Sequence, residues 1–116
     1  MFRLKVVLDT NIYISAILFG GKPEMLIQLA REKVIIIFIS ELILNELARI
    51  FKAKFTWNND QIYYTIDELR KMTHVVIPKV YLNVIELHDS DNRILECALE
   101  AKADYIYPEI DIIYYC

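Results

Sequence analysis

The sequence predicts a three-layer α/β fold, a parallel sheet of about four to five strands with helices on both faces. Three observations predict it. The segments LKVVL (4–8) and VIIIFI (34–39) are apolar at nearly every position, which suits strands covered on both sides. Between such segments lie stretches with apolar residues at helical spacing, and alternation of strands with helices is the pattern of a parallel sheet. The 116 residues show no internal repeat, low-complexity tract or linker. They make one domain, 1–116, long enough to bury a core.

Leu4 to Leu8 is the first strand. Ile12 to Leu18 follows as a short helix stopped by Gly20 and Gly21. Pro23 opens a second helix, in which Met25, Leu26, Leu29 and Ala30 recur at helical spacing within Glu24 to Lys33. Val34 to Ile39 is the second strand. Ser40 is placed to cap a helix reaching about Lys52, with Glu41 in the first turn, where acids are favoured. Asn58 or Asn59 caps the next helix, Asp60 to Met72. His74 to Ile77 is a third strand, ended by Pro78, and 78–89 reads as a connection with little structure of its own. Asp91 to Lys102 is a helix with Ile94, Leu95, Ala98 and Leu99 on one face. Tyr105 to Tyr107 is a fourth strand.

The chain is 56% hydrophobic with a mean hydropathy of +0.31. Its longest apolar run, 34–39, falls far short of the roughly 20 residues of a membrane helix. Asp9 interrupts the N-terminal apolar run, so that run is no signal peptide. Cys97 and Cys116 have no CxxC or CxxH spacing, hence neither a zinc site nor a disulfide framework. These features predict a reduced, cytoplasmic protein. A net charge of −3 and a pI of about 5.3 lack the basic field of an ordinary nucleic-acid-binding module. They leave room for an enzyme that reaches phosphates through bound cations, which reverse the local sign.

Three acids stand out. Asp9 follows the first strand with no turn residue between, and open parallel sheets bind ligands at the carboxyl ends of their strands. An ionised carboxylate beside the core is costly unless something pairs with it. Capping the next helix is the alternative. Glu46 lies three or four residues from Leu42, Ile43 and Ile50, so it shares the apolar stripe Leu42, Ile43, Leu47, Ile50; an edge position reaching water is the alternative. Asp91 precedes Ile94 and Leu95 by three and four residues, with capping again the alternative. Converging carboxylates raise one another's pKa unless a cation is present. Ligands that are all oxygen suit Mg²⁺ or Mn²⁺.

Arg49, Lys52, Lys54 and Arg93 are candidates for guiding a nucleic-acid backbone, although Arg49 also reads as an ordinary surface residue. Phe55 and Trp57 read as core first and as base-stacking groups second. His74 and His88 are not spaced as a catalytic pair.

Taken together, these segments resemble PIN-domain nucleases of the kind found as VapC-like toxins of type II toxin–antitoxin pairs. The resemblance runs from VVLDTNIYISAILFGGKPEMLIQLA through ISELILNELARIFKAKF to DSDNRILECALEAKADYI. VLDTN, the S-x5-E-L segment from Ser40 to Leu47, and DNRILECA carry it. It implies a PIN-like fold and metal-dependent cleavage of single-stranded RNA. Asp9, Glu46 and Asp91 would be the catalytic acids holding Mg²⁺ or Mn²⁺, with Asn11, and more weakly Thr10, orienting the site. A cognate antitoxin is the implied partner. The apolar tail IIYYC adds the expectation of a homodimer or an antitoxin-covered edge.

The family usually follows ADYI with two residues and then Gly-Asp, whose acid is the fourth of the pocket. Here that position is Ile110, and Glu109 and Asp111 flank it one residue out of register. Along a strand such a slip reverses the facing of the side chain; in a loop it does not. The resemblance fades after Ile106, and the expectation is a truncated C-terminus, as a frameshifted or shortened gene would give. Two functions therefore compete: an active endoribonuclease toxin, and a catalytically weakened PIN domain that retains antitoxin or RNA binding. A phosphatase with an Asp nucleophile usually has a second acid two residues on, where Asn11 stands. A nucleotide-binding doubly wound module needs a Gly-x-Gly-x-x-Gly that does not follow Leu8.

Overall fold

The computed structural model of the chain describes residues 3–84 and 89–107. In chain order the elements are β1 (Leu4–Leu8), α1 (Thr10–Phe19), α2 (Lys22–Arg31), β2 (Ile35–Ser40), α3 (Glu41–Phe55), α4 (Asn59–Met72), β3 (His74–Val76), α5 (Asp89–Ala101) and β4 (Tyr105–Tyr107). The strands form one sheet in the order β3-β2-β1-β4, and every pairing is parallel. Val6 faces Ile37 on one side and Tyr105 on the other, so β1 is the inner strand that joins the first half of the chain to its end.

Both faces of the sheet are covered. Val6, Val7 and Leu8 are buried in succession, as are Ile37, Phe38 and Ile39, and successive strand side chains point to opposite faces. Each such residue contributes on the order of 1.5–3 kcal/mol of burial. Tyr13, Ile43, Leu44, Leu47, Phe51, Ile94 and Cys97 complete the core from the helices.

Local chemistry sets the helix ends. Gly20 and Gly21 both hold positive φ, 74° and 72°, a region that disfavours any side chain. The Gly20 N–H closes α1 on the carbonyls of Ser15 and Ala16. The Ser40 hydroxyl caps α3 by accepting the Ile43 N–H at 3.3 Å. That helix runs three residues past Lys52, because buried Ile50 and Phe51 hold its last turns. It stops at Thr56 in the left-handed region, where Trp57 stacks on Phe51 with centroids 4.3 Å apart. Of the two candidate caps for α4, Asn58 is the one used, in a reciprocal capping box with Gln61.

One boundary needs correction: the helix expected to start at Asp91 starts at Asp89, so Asp91 sits in its first turn and not at the cap that was its alternative reading. The connection after β3 has no helix or strand among the described residues, as expected, yet its backbone is tethered. The N–H groups of Lys79, Leu82 and Val84 donate to the side chains of Glu100, Glu96 and Asn92. Those three acceptors are spaced four apart, hence on one face of α5, and they satisfy backbone that has no neighbouring strand among the described residues. Among the described residues no helix is long and apolar enough to cross a membrane.

Candidate functional site

From β1 the chain passes to β2 on one side, while β4 returns to lie on the other. Such a reversal opens a crevice outside the carboxyl ends of the strands. Asp9 stands there. Its N–H donates to the Tyr107 carbonyl at 2.9 Å, which fixes the residue to β4 as well as to β1. It occupies the N-cap position of α1 and its carbonyl accepts the Ile12 N–H at 3.0 Å, yet its side chain makes no capping hydrogen bond. The capping alternative therefore does not account for the carboxylate. What touches Asp9 is the Thr10 hydroxyl, donating to Oδ1 at 3.3 Å. Thr10 is buried and Asn11 is exposed, so the contact falls to the residue that the sequence ranked second.

α3 starts at the carboxyl end of β2, and α5 enters the sheet through β4, so it runs antiparallel to the strands. The second turn of α3 and the first turn of α5 consequently lie toward the same edge as Asp9. Glu46 does not share the buried stripe as expected. That stripe is Ile43, Leu44, Leu47, Ile50 and Phe51, whereas Leu42 is exposed. Glu46 borders it, with its side chain 28% exposed. Arg49 reaches back to it: Nε donates to Oε2 at 3.0 Å and one Nη to Oε1 at 2.7 Å. These hydrogen bonds hold the Glu46 carboxyl below the usual carboxylate range; partial burial opposes them, and the charges of Arg49 and Lys54 add to them. Asp91 is half-buried.

A family model for the PIN domain matches residues 5–107. The chain belongs to the PIN-domain family. It is also 30% identical over 118 residues to an uncharacterized protein of Methanocaldococcus jannaschii, covering 96% of this chain and 74% of that one. Its fold is similar to the crystal structure of VapBC2 from Rickettsia felis bound to a DNA fragment from their promoter. The TM-score is 0.65 at 19% identity, over 97% of this chain and 92% of that chain, a likeness of fold. PIN domains are generally nucleases.

PIN nucleases typically use divalent metals, and the oxygen donors of Asp9, Glu46 and Asp91 are of the right chemistry for one. Their arrangement does not fit. Among the described residues no three Asp, Glu, His or Cys side chains gather closely enough to share an ion, and the Glu46 carboxylate is engaged by Arg49. Glu109, Ile110 and Asp111 lie outside the described residues, as do His88 and the tail IIYYC.

The cations expected to guide nucleic acid are placed unequally in this PIN domain. Lys52 and Lys54 are exposed in the last turn of α3, where they complement the helix terminus; Lys54 is about 12 Å along the axis beyond Glu46. Arg93 is turned inward. Its guanidinium pairs with Glu96 at 3.0 Å, donates to the Leu82 carbonyl and lies 4.0 Å from the Tyr81 ring. A cation so engaged is a strut for the segment before α5 rather than a guide for a strand. Glu96 and Asn92, buried on the same helix, escaped notice in the sequence. The spacing of four through Asn92, Glu96 and Glu100 sets them on one face of α5, but spacing alone gives none of them a reason to be buried.

Proposed function

We propose that this PIN domain is an endoribonuclease that cleaves single-stranded RNA and depends on Mg²⁺ or Mn²⁺, acting as the toxin of a toxin–antitoxin pair. One observation supports it above the rest. Asp9 sits at the strand-order reversal, and its carboxylate is withdrawn from the cap that would otherwise explain it. Glu46 and Asp91 are the acids proposed to act with it, Thr10 and Asn11 the residues that orient it, and Lys52 and Lys54 the cations that meet the strand.

The test is cleavage of a single-stranded RNA with Mg²⁺ or Mn²⁺, lost on adding EDTA and in Asp9→Asn. Cleavage that survives both sinks the proposal. A second reading, a catalytically weakened PIN domain that binds RNA or antitoxin, is favoured by the engagement of Glu46 with Arg49. Binding of RNA without turnover would select it.

For the partner, an antitoxin is the reading, in the reduced cytoplasm. The likeness of fold to VapBC2 from Rickettsia felis, which is bound there to a DNA fragment from their promoter, supports it. An apolar groove of about 840 Å³ beside β4, lined by Leu26, Leu29, Leu95, Leu99 and Ile106, supports a covering partner or a second copy. A monomer by light scattering at micromolar concentration would argue against the homodimer.

A further inference from the structure

β3 is shorter than β2 and pairs only with Phe38, Ile39 and Ser40. The Ile35–Ile37 half of β2 therefore has no strand neighbour on that side among the described residues. The notch left there is a cavity of about 450 Å³ between β2 and the end of α4. It lies at the amino ends of the strands, the opposite edge of the sheet from Asp9. Four exposed cations line it: Arg3 just before β1, Arg31 and Lys33 at the end of α2, and Lys71 in the last turn of α4. Glu68 is the one acid among the lining residues.

The chain as a whole carries a net charge of −3, so this concentration of cations is local. Lys71 is answered by Asp67 at 3.2 Å and Glu68 at 3.9 Å. Arg3, Arg31 and Lys33 pair with no carboxylate among the described residues. Glu32, between two of them, is taken up by Gln28, whose Nε2 donates to it at 2.9 Å. Complementing a helix end explains Arg31 and Lys71, but Arg3 belongs to no helix. An unpaired sheet edge adds backbone N–H groups, and such edges make anion-binding concavities. His74 is exposed in the same notch, its ring 5.0 Å from that of Phe38, and a histidine ring can carry a nucleic-acid base. The size of the cavity suits an organic group rather than a bare ion.

We infer that the notch holds one nucleotide of a single RNA strand, its phosphate on Arg3, Arg31 and Lys33 and its base against His74. It is an anchor separate from the Asp9 edge, roughly 17 Å away along β1. Binding there draws on neither a metal nor the acids of that edge. The inference rests on the proposed function for the class of strand, and on the notch for the rest.

Fluorescence anisotropy of a short fluorescein-labelled oligouridylate with the full chain tests the anchor, in EDTA so that no cleavage intervenes. Lys33 and Lys102 make a matched pair. Each follows a helix with positive φ, 63° and 53°, where glycine is at ease, and Lys102 is exposed outside the notch. Both glycine variants keep the backbone and lose one charge. Lys33→Gly is expected to weaken binding roughly two- to five-fold, the range of one exposed charge pair. It also lowers the log–log salt slope by about 0.7, one single-strand phosphate. Arg31→Ala behaves alike, and Lys102→Gly changes neither quantity. His74→Ala weakens binding and leaves the slope as it was.

Equal losses in Lys33→Gly and Lys102→Gly overturn the inference, because overall charge then suffices. So does an unchanged affinity in both Lys33→Gly and Arg31→Ala. Polyglutamate that displaces the labelled strand as well as unlabelled oligouridylate does overturns the assignment to nucleic acid. An unchanged affinity in His74→Ala overturns the base contact. Cleavage with Mg²⁺ is read on its own. If it is absent while Lys33→Gly alone of the matched pair weakens binding, the nuclease reading fails and the anchor stands. If it is present while Lys33→Gly and Arg31→Ala bind as the natural sequence does, only the anchor falls.

Discussion

The Arg93 guanidinium lies 3.0 Å from the Glu96 carboxylate, one turn along α5, with the two side chains only 12% and 2% exposed. Between them they take both backbone groups of Leu82: Arg93 donates to its carbonyl and Glu96 accepts its N–H. A single residue outside the sheet is thereby held as a strand neighbour would hold it. Removing one partner of a buried pair leaves the other charge uncompensated, which typically costs about 3–5 kcal/mol. Arg93→Ala should therefore lose about 3 kcal/mol in urea denaturation and expose the Leu82 amide to hydrogen exchange. A loss below about 1 kcal/mol, in the range of a surface pair, would show that the pair is no strut.

Tyr13 offers the opposite case. Its ring is fully buried in the core, and its hydroxyl has no hydrogen-bond partner among the described residues. Burial, with Cys97 adding to it, pushes the phenol pKa well above its ordinary value, so the group is neutral. A buried polar group without a partner costs about 1–3 kcal/mol. Tyr13→Phe removes only that group and keeps the ring. It should raise the urea midpoint, corresponding to about 1 kcal/mol; a lowered midpoint would mean that the hydroxyl is satisfied in solution.

The sheet was legible in the sequence because β1 and β2 are apolar on both faces, and their neighbours have clear helical periods and caps. The Ser40 cap could be read directly, whereas the cap of α4 was narrowed only to Asn58 or Asn59, and the box with Gln61 that decides for Asn58 came from the structure. The position of Asp9 was legible for the same reason, since a carboxylate directly after a buried strand has few places to go. Glu46 was harder. Its spacing from Ile43 and Ile50 placed it on the stripe, but the buried stripe is rotated toward Leu44 and Phe51. That leaves Glu46 on the border, within reach of an arginine one turn on. Pairings of this kind depend on rotamers, which composition and spacing do not encode. Glu96 was missed because a glutamate on a helix defaults to the solvent face; only the backbone of 79–84, which period and propensity do not place, gives it a reason to be buried.

Cys97 is a core residue, and burial pushes its thiol up to about 12. The thiolate is the reactive form, so almost none is present at neutral pH. Site-resolved mass spectrometry after iodoacetamide treatment of the native protein should show Cys97 unmodified, with labelling appearing only across the unfolding transition. Rapid labelling of the folded protein would place the thiol outside the core.

Glu41 at the start of α3 and Arg70 near the end of α4 form a two-pronged pair, one prong of 2.8 Å, that ties the two helices at the surface. The hydrogen bonds from Arg70 lower the Glu41 carboxyl below its ordinary value of 4.5; slight burial opposes them and the Arg70 charge adds to them. A folded pKa below the unfolded one means that the pair's stabilisation is fully present above the unfolded value and is lost as pH falls through the folded value. Glu41→Gln should accordingly lower Tm at neutral pH, with the difference from the natural sequence shrinking as pH falls below the ordinary carboxyl value of 4.5 and closing once the folded carboxyl is protonated. Both side chains are 42–48% exposed, so the effect is small and salt should erode it. A difference that grows as pH falls would reverse the sign and remove the pair from the account of how α3 and α4 are held.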